Sequence, residues 1–232
     1  LTMKNLFLFL FSISVFISCN KENSDLENPL KEELTLSKIA ENAPNKAAWV
    51  PRDQMMSRNG DSMGYGVILN PNSKKLVLFL DGGGACFNPL TCLQNLDRYS
   101  EEDFLNTMAS HPSLLINRDA DQNQFKDWNL VFVPYATGDV HSGTNSSANV
   151  PNDGPKNQNM VGFNNFTLVL KDLKNYFDAN GNITEIVFMG SSAGGYGVLS
   201  NTSQLTDILA KNIPTTVIMD ASPVFMDETL LS

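Results

Sequence analysis

Gly190-Ser191-Ser192-Ala193-Gly194 spells G-x-S-x-G at the end of an apolar run. A serine in that setting does chemistry if the chain turns so sharply from strand to helix that its hydroxyl projects above the sheet. Small residues two before and two after the serine let the backbone cross itself there. The chemistry is acyl transfer. Ser192 attacks a carbonyl carbon, and the N–H of Ala193 faces the negative charge that develops on the carbonyl oxygen. Ser191 is the neighbouring hydroxyl, and register favours Ser192. The bland alternative is a tight strand–helix turn with no chemistry.

Leu80-Asp81-Gly82-Gly83-Gly84-Ala85 is the second signal. Glycines at the end of an early apolar strand leave backbone N–H groups open to a ligand, and triple-glycine serine enzymes take their other oxyanion donors from this place. A phosphate cradle is the rival, but no Gly-Lys-Ser/Thr follows the glycines. The third segment is Tyr135-Ala136-Thr137-Gly138-Asp139-Val140-His141-Ser142-Gly143. Asp139 and His141 either line the pocket or form an ordinary Asx turn with a surface histidine. His141 is not expected to be the general base, because in this type of enzyme the histidine follows the serine in the chain.

These segments need a scaffold that brings strand ends together. Gly64–Leu69, Leu76–Leu80, Asn129–Tyr135, Ile186–Met189 and Thr215–Met219 read as strands, several of them continuous apolar runs of the kind buried on both faces. Helical spacing of Phe166, Val169, Leu170, Leu173 and Phe177, with Gly181 just past the end, predicts a helix between two of them. A further helix starts at Ser100 with Glu101, Glu102 and Asp103 behind it. The fold class is therefore α/β, a mostly parallel sheet with helices on both faces, and such sheets gather working groups at the carboxyl ends of their strands.

The chain has 232 residues, 42% hydrophobic and 18% charged, with a formal net charge of −9. That suits one α/β domain and disfavours nucleic acid as a partner. Lys4 precedes an apolar run from Leu6 to Ile17, too short to span a bilayer, followed by Ser18-Cys19. Phe16-Ile17-Ser18-Cys19 resembles a bacterial lipobox. On that reading residues 1–18 are a signal peptide and Cys19 is lipidated. Residues 19–46 are then a polar tether with a short helix near Thr35–Ala40, and residues 47–232 are the domain. An ordinary secretory signal is the alternative. The expected location is an exported lipoprotein, periplasmic or at the cell surface, held to the membrane by its lipid alone. In an oxidising compartment Cys86 and Cys92 would pair, two free thiols being the other possibility. Nothing suggests a metal site or a cofactor. Asn145, Asn165, Asn182 and Asn201 open N-x-S/T sequons, read as chance in a bacterial protein. Trp49 and Trp128 read as packing residues.

Taken together the three segments resemble the pectin acetylesterase / Notum family of α/β-hydrolases, over roughly Gly60 to Phe225. The marks are Leu80 to Cys86 with Cys92 behind, Val131-Phe132-Val133-Pro134-Tyr135 leading to Gly138–Gly143, and Gly190 to Gly195. The resemblance implies an α/β-hydrolase-like fold and an acylated Ser192. It also implies an oxyanion hole made by the N–H groups of Gly83, Gly84 and Ala193, and it strengthens the Cys86–Cys92 pairing. The implied partner is an acylated carbohydrate or other ester substrate. Two departures stand out. Relatives often carry an aromatic residue where Gly84 or Ala85 stands, and often a cysteine at Ala136.

The order in this fold is serine, acid, histidine. Both histidines, His111 and His141, precede Ser192. The expectation is therefore a C-terminally incomplete hydrolase domain, with acid and histidine in roughly 60–150 residues beyond Ser232. Such a piece would have little activity by itself. Asp220 is expected to line the site and not to be the triad acid. Three functions fit: deacetylation of an extracellular polysaccharide, removal of a longer acyl chain in the manner of Notum, or non-catalytic glycan binding by a hydrolase fold.

Overall fold

The structure is a computed structural model that describes residues 29–110 and 117–222. The signal segment, Cys19 and His111 lie outside the described residues. α1 (Pro29–Asn42) is followed by β1 (Ala47–Met56), β2 (Ser62–Ile68), β3 (Lys75–Leu80), α2 (Pro89–Gln94), α3 (Glu101–Ser110) and β4 (Asn129–Val133). Then come β5 (Asn145–Ala148), β6 (Gln158–Met160), α4 (Gly162–Asn180), β7 (Glu185–Ser191), α5 (Ala193–Ile208) and β8 (Thr215–Asp220).

Six strands form one sheet in the order β1-β2-β4-β3-β7-β8, and β5 and β6 form a separate hairpin. β4, β3, β7 and β8 run parallel, while β2 is antiparallel to both β1 and β4. The parallel strands are those read from the sequence as apolar runs. Leu76, Val77 and Leu78 of β3 and the whole of β4 are buried because helices cover both sides.

The side-chain contacts sort the layers. Residues of β2 alternate, so Gly66 faces α3 while Tyr65 faces α4. A Cβ on Gly66 would sit 2.0 Å from the Phe104 ring, so only glycine lets α3 seat this close. Phe104 packs on Phe132 and Trp49. On the other face Phe166 of α4 stacks on Phe188 of β7 at 5.4 Å. Beneath α4, Asp172 accepts from Tyr65 Oη–H at 3.0 Å and pairs with Arg52 Nε at 3.2 Å. α1 lies in the stretch read as a tether, and from Leu36 onward it joins the core, packing Leu36 and Ala40 beside α4. A cleft of about 610 Å³ opens beside it, lined by Asn45, Asn70, Asn129 and Tyr176. Its walls are the amino ends of β3 and β4, so it lies at the opposite rim from Ser192.

β1 and the β5–β6 hairpin carry no clear strand signal. Pro51 and the pair Arg52-Asp53 interrupt β1, which tolerates them as an edge strand. α5 begins directly at Ala193 and runs unbroken to Ile208.

Candidate active site

The strand-to-helix turn predicted at Ser192 is present. β7 ends at Ser191, α5 starts at Ala193, and Ser192 between them adopts φ 53°, ψ −116°. A non-glycine residue there costs on the order of 1–3 kcal/mol and persists only where its surroundings impose it. They do. Ser192 N–H donates to Asp220 O at 2.8 Å, and Ser192 O accepts from Gly195 N–H at 3.0 Å and from Ser222 Oγ–H at 2.7 Å. A Cβ on Gly190 would meet Gly194 O at 2.3 Å, and one on Gly194 would meet Leu80 O at 2.0 Å. Both glycines of the motif are therefore steric necessities. Ser192 itself is exposed.

The glycine triplet abuts this turn. A Cβ on Gly82 would lie 2.6 Å from Ser191 O and 3.3 Å from Ser192 Cβ. The two bends thus share one rim, at the carboxyl ends of β3 and β7. Gly83 (φ 155°) and Gly84 (φ 80°) use backbone conformations that side chains disfavour. Ala193 is the first residue of α5, so its N–H has no acceptor within that helix. The positive end of the α5 dipole adds to its attraction for an oxyanion.

The third segment supports this rim from below. Asp139 accepts from Thr137 Oγ–H (2.6 Å), His141 N–H (3.1 Å), Gly162 N–H (2.7 Å) and Gly143 N–H (3.2 Å). It ties a loop in which Val140 and His141 have positive φ. His141 is 2% exposed, so it is not a surface histidine. Its ring lies against Tyr135, and Nε2–H donates to Asp81 O at 2.9 Å. Burial lowers its pKa, which keeps the ring neutral. With Nε2 committed to a carbonyl, His141 positions the glycine loop and is not placed as the base for Ser192.

Asp81 sits where the loop begins. Burial raises its pKa to about 6, partly offset by the Gly82 N–H that its Oδ1 accepts at 2.9 Å. Asp220 is exposed at the end of β8, its Cα opposite Ser191, and its carbonyl rather than its carboxylate engages the serine.

Cys86 and Cys92 are joined by a disulfide. Cys86 N–H donates to Gly138 O at 2.8 Å, which docks the disulfide segment on the third loop. Two residues here carry no sequence signal. Asn95 Nδ2–H donates to Gly83 O at 2.6 Å, and buried Arg58 bonds Cys92 O and Asn95 O through Nη2. Among the described residues no group of three or more His, Cys, Asp or Glu could hold a metal ion.

Comparison with known proteins bears on the family and the fold. The family model described as pectinacetylesterase matches residues 62–232. The chain is 32% identical over 147 residues to palmitoleoyl-protein carboxylesterase NOTUM of Schmidtea mediterranea, covering 61% of the chain and 26% of that protein. It is 27% identical over 158 residues to the Homo sapiens protein of the same name, covering 66% of the chain and 30% of that protein. The solved structure of the Wnt deacylase Notum from Drosophila matches with a TM-score of 0.54 at 23% identity, over 76% of the chain and 52% of that structure. The fold is thus α/β-hydrolase-like. The matches span about a quarter to a third of the length of these curated relatives.

Proposed function

Because the chain belongs to the pectinacetylesterase family, we propose that it is the nucleophile-bearing part of a serine carboxylic-ester hydrolase. The observation that carries this reading is the exposed Ser192 at φ 53°, with the glycine triplet against its backbone. In the reaction, Ser192 Oγ attacks the ester carbonyl carbon and gives its proton to a base. The carbonyl oxygen takes the negative charge, and the N–H groups of Gly83, Gly84 and Ala193 receive it. Collapse expels the alcohol, which leaves with a proton, and an acyl group remains on Ser192. Water then releases the acid and restores the serine. His141 is the one histidine among the described residues, and it is not arranged to be that base.

The substrate we favour is an O-acetyl group on an extracellular polysaccharide. Gly84 is exposed and bears no side chain beside the serine turn, which suits a bulky carbohydrate substrate. The relatives' names, palmitoleoyl-protein carboxylesterases, support a second reading, removal of a fatty-acyl group. In this proposal the enzyme is exported and anchored through lipid on Cys19.

The test uses the full-length protein. A fluorophosphonate should label it, and Ser192→Ala should abolish both labelling and turnover. Acetyl p-nitrophenyl ester should be cleaved with higher kcat/KM than the octanoyl ester. The reverse order would favour the fatty-acyl reading. A folded protein that neither labels nor turns over either ester would leave the glycan-binding reading. Loss of membrane fractionation in Cys19→Ala checks the anchor.

A further inference from the structure

The glycine triplet has no side chain with which to fix the orientation of its own peptide groups. Each peptide is planar and trans, so its C=O and the following N–H point in opposite directions. Whatever holds the Gly83 carbonyl therefore aims the Gly84 N–H. That carbonyl accepts from Asn95 Nδ2–H at 2.6 Å. We propose that Asn95 is a positioning residue for the oxyanion hole: it draws the Gly83 carbonyl outward and so turns the Gly84 N–H toward the acyl oxygen. The proposal rests on the esterase reading above.

Asn95 is itself anchored. Its main-chain oxygen accepts from Arg58 Nη2–H at 3.1 Å, and the same nitrogen bonds Cys92 O at 3.0 Å. Arg58 Nη1–H reaches Gln158 Oε1 at 2.8 Å on the β5–β6 hairpin. The disulfide and the Cys86 N–H to Gly138 O bond fix the other end of the segment. Residues 86–95 are thus tied at both ends, and Asn95 at the far end supplies the side-chain hydrogen bond to the Gly83 carbonyl.

The amide of Asn95 is spent on this one contact. Its Oδ1 is buried and has no hydrogen-bond partner among the described residues. A buried unpaired acceptor costs stability. An asparagine retained only for packing would be better replaced by an apolar residue. Holding the Gly83 carbonyl accounts for the amide.

The experiment compares Asn95→Ala and the near-isosteric Asn95→Asp, which lacks the N–H donor, with wild type in the full-length protein. Asn95→Ala should melt close to wild type, whereas Asn95→Asp should melt lower, because its carboxylate is buried against the Gly83 carbonyl. Turnover of the acetyl ester should fall in kcat by roughly 10- to 100-fold, with KM within about 3-fold. Affinity for a trifluoromethyl ketone, which forms a tetrahedral oxyanion on the serine, should fall by the same factor as kcat/KM. Amide hydrogen exchange in residues 82–86 should quicken in both variants. Unchanged exchange there overturns the brace, whatever happens to turnover. In Asn95→Ala, unchanged kcat, or kcat, KM and melting temperature all worsening together, overturns the positioning role. A wild-type protein that neither labels nor turns over sinks the esterase reading and the catalytic half of this proposal. The exchange measurement still decides the brace.

Discussion

Gly82→Ala isolates the contact between the two halves of the site. Gly82 does not have a positive φ, so alanine meets no backbone strain there. Its Cβ would instead land 2.6 Å from Ser191 O, where 3.4 Å is an ordinary contact. The glycine loop and the serine turn must therefore part by about 0.8 Å, and neither partner is a flexible side chain. A displacement of about 1 Å between reacting groups costs on the order of 100-fold in rate. The expected loss is roughly 10- to 100-fold in kcat/KM, or about 1.4–2.7 kcal/mol of transition-state stabilisation. Overpacking should cost roughly 1–3 kcal/mol of folding stability. The assay is the second-order rate of fluorophosphonate labelling of the full-length protein, beside a melting curve. Labelling within about 2-fold of wild type in a folded Gly82→Ala protein would refute the claim that the loop and the serine turn build one site.

Two other outcomes follow from the same geometry. Ser192→Gly and Ser192→Ala should both abolish labelling, but Gly should melt higher, by about 1 kcal/mol, because only glycine relieves the strained backbone; equal melting points would argue against strain. Asp81 has its pKa raised to about 6, so the folded chain binds its proton more tightly than the unfolded chain does. The stability this contributes is full below pH ~4 and is lost as pH rises through ~6, a change on the order of 2 kcal/mol. Asp81→Asn should flatten that decline in urea titrations between pH 4 and 7. Asp172, raised to about 6 by burial despite Arg52, acts in the same direction, so part of the slope should remain.

The parallel centre of the sheet was legible because β3, β4 and β7 are buried on both faces and must be continuously apolar. β1 was not. An edge strand needs only one apolar face, and Val50 and Met55 are too few to outweigh Pro51 and two charges. The serine turn and the glycine triplet were readable because steric crowding leaves glycine no substitute at Gly190 and Gly194. Asn95 was not readable. An asparagine is ordinary by type, and its function comes from a hydrogen bond to a residue twelve positions earlier. His141 shows the converse: a residue of catalytic type whose ring is occupied holding a main-chain carbonyl.

Asn165 is buried, and its side chain bonds both the N–H and the carbonyl of Met56, clamping the end of β1 onto α4. Asn201 is fully buried, with Nδ2 shared between His141 O and Gly197 O. Both open sequons that a eukaryotic secretory pathway recognises on the nascent chain, before folding hides them. A sugar tree on either nitrogen would strip those clamps and could not be packed inside. Secretion through a yeast or insect-cell pathway should therefore yield a chain trapped short of its native state, whereas a host that does not read these sequons should yield folded protein.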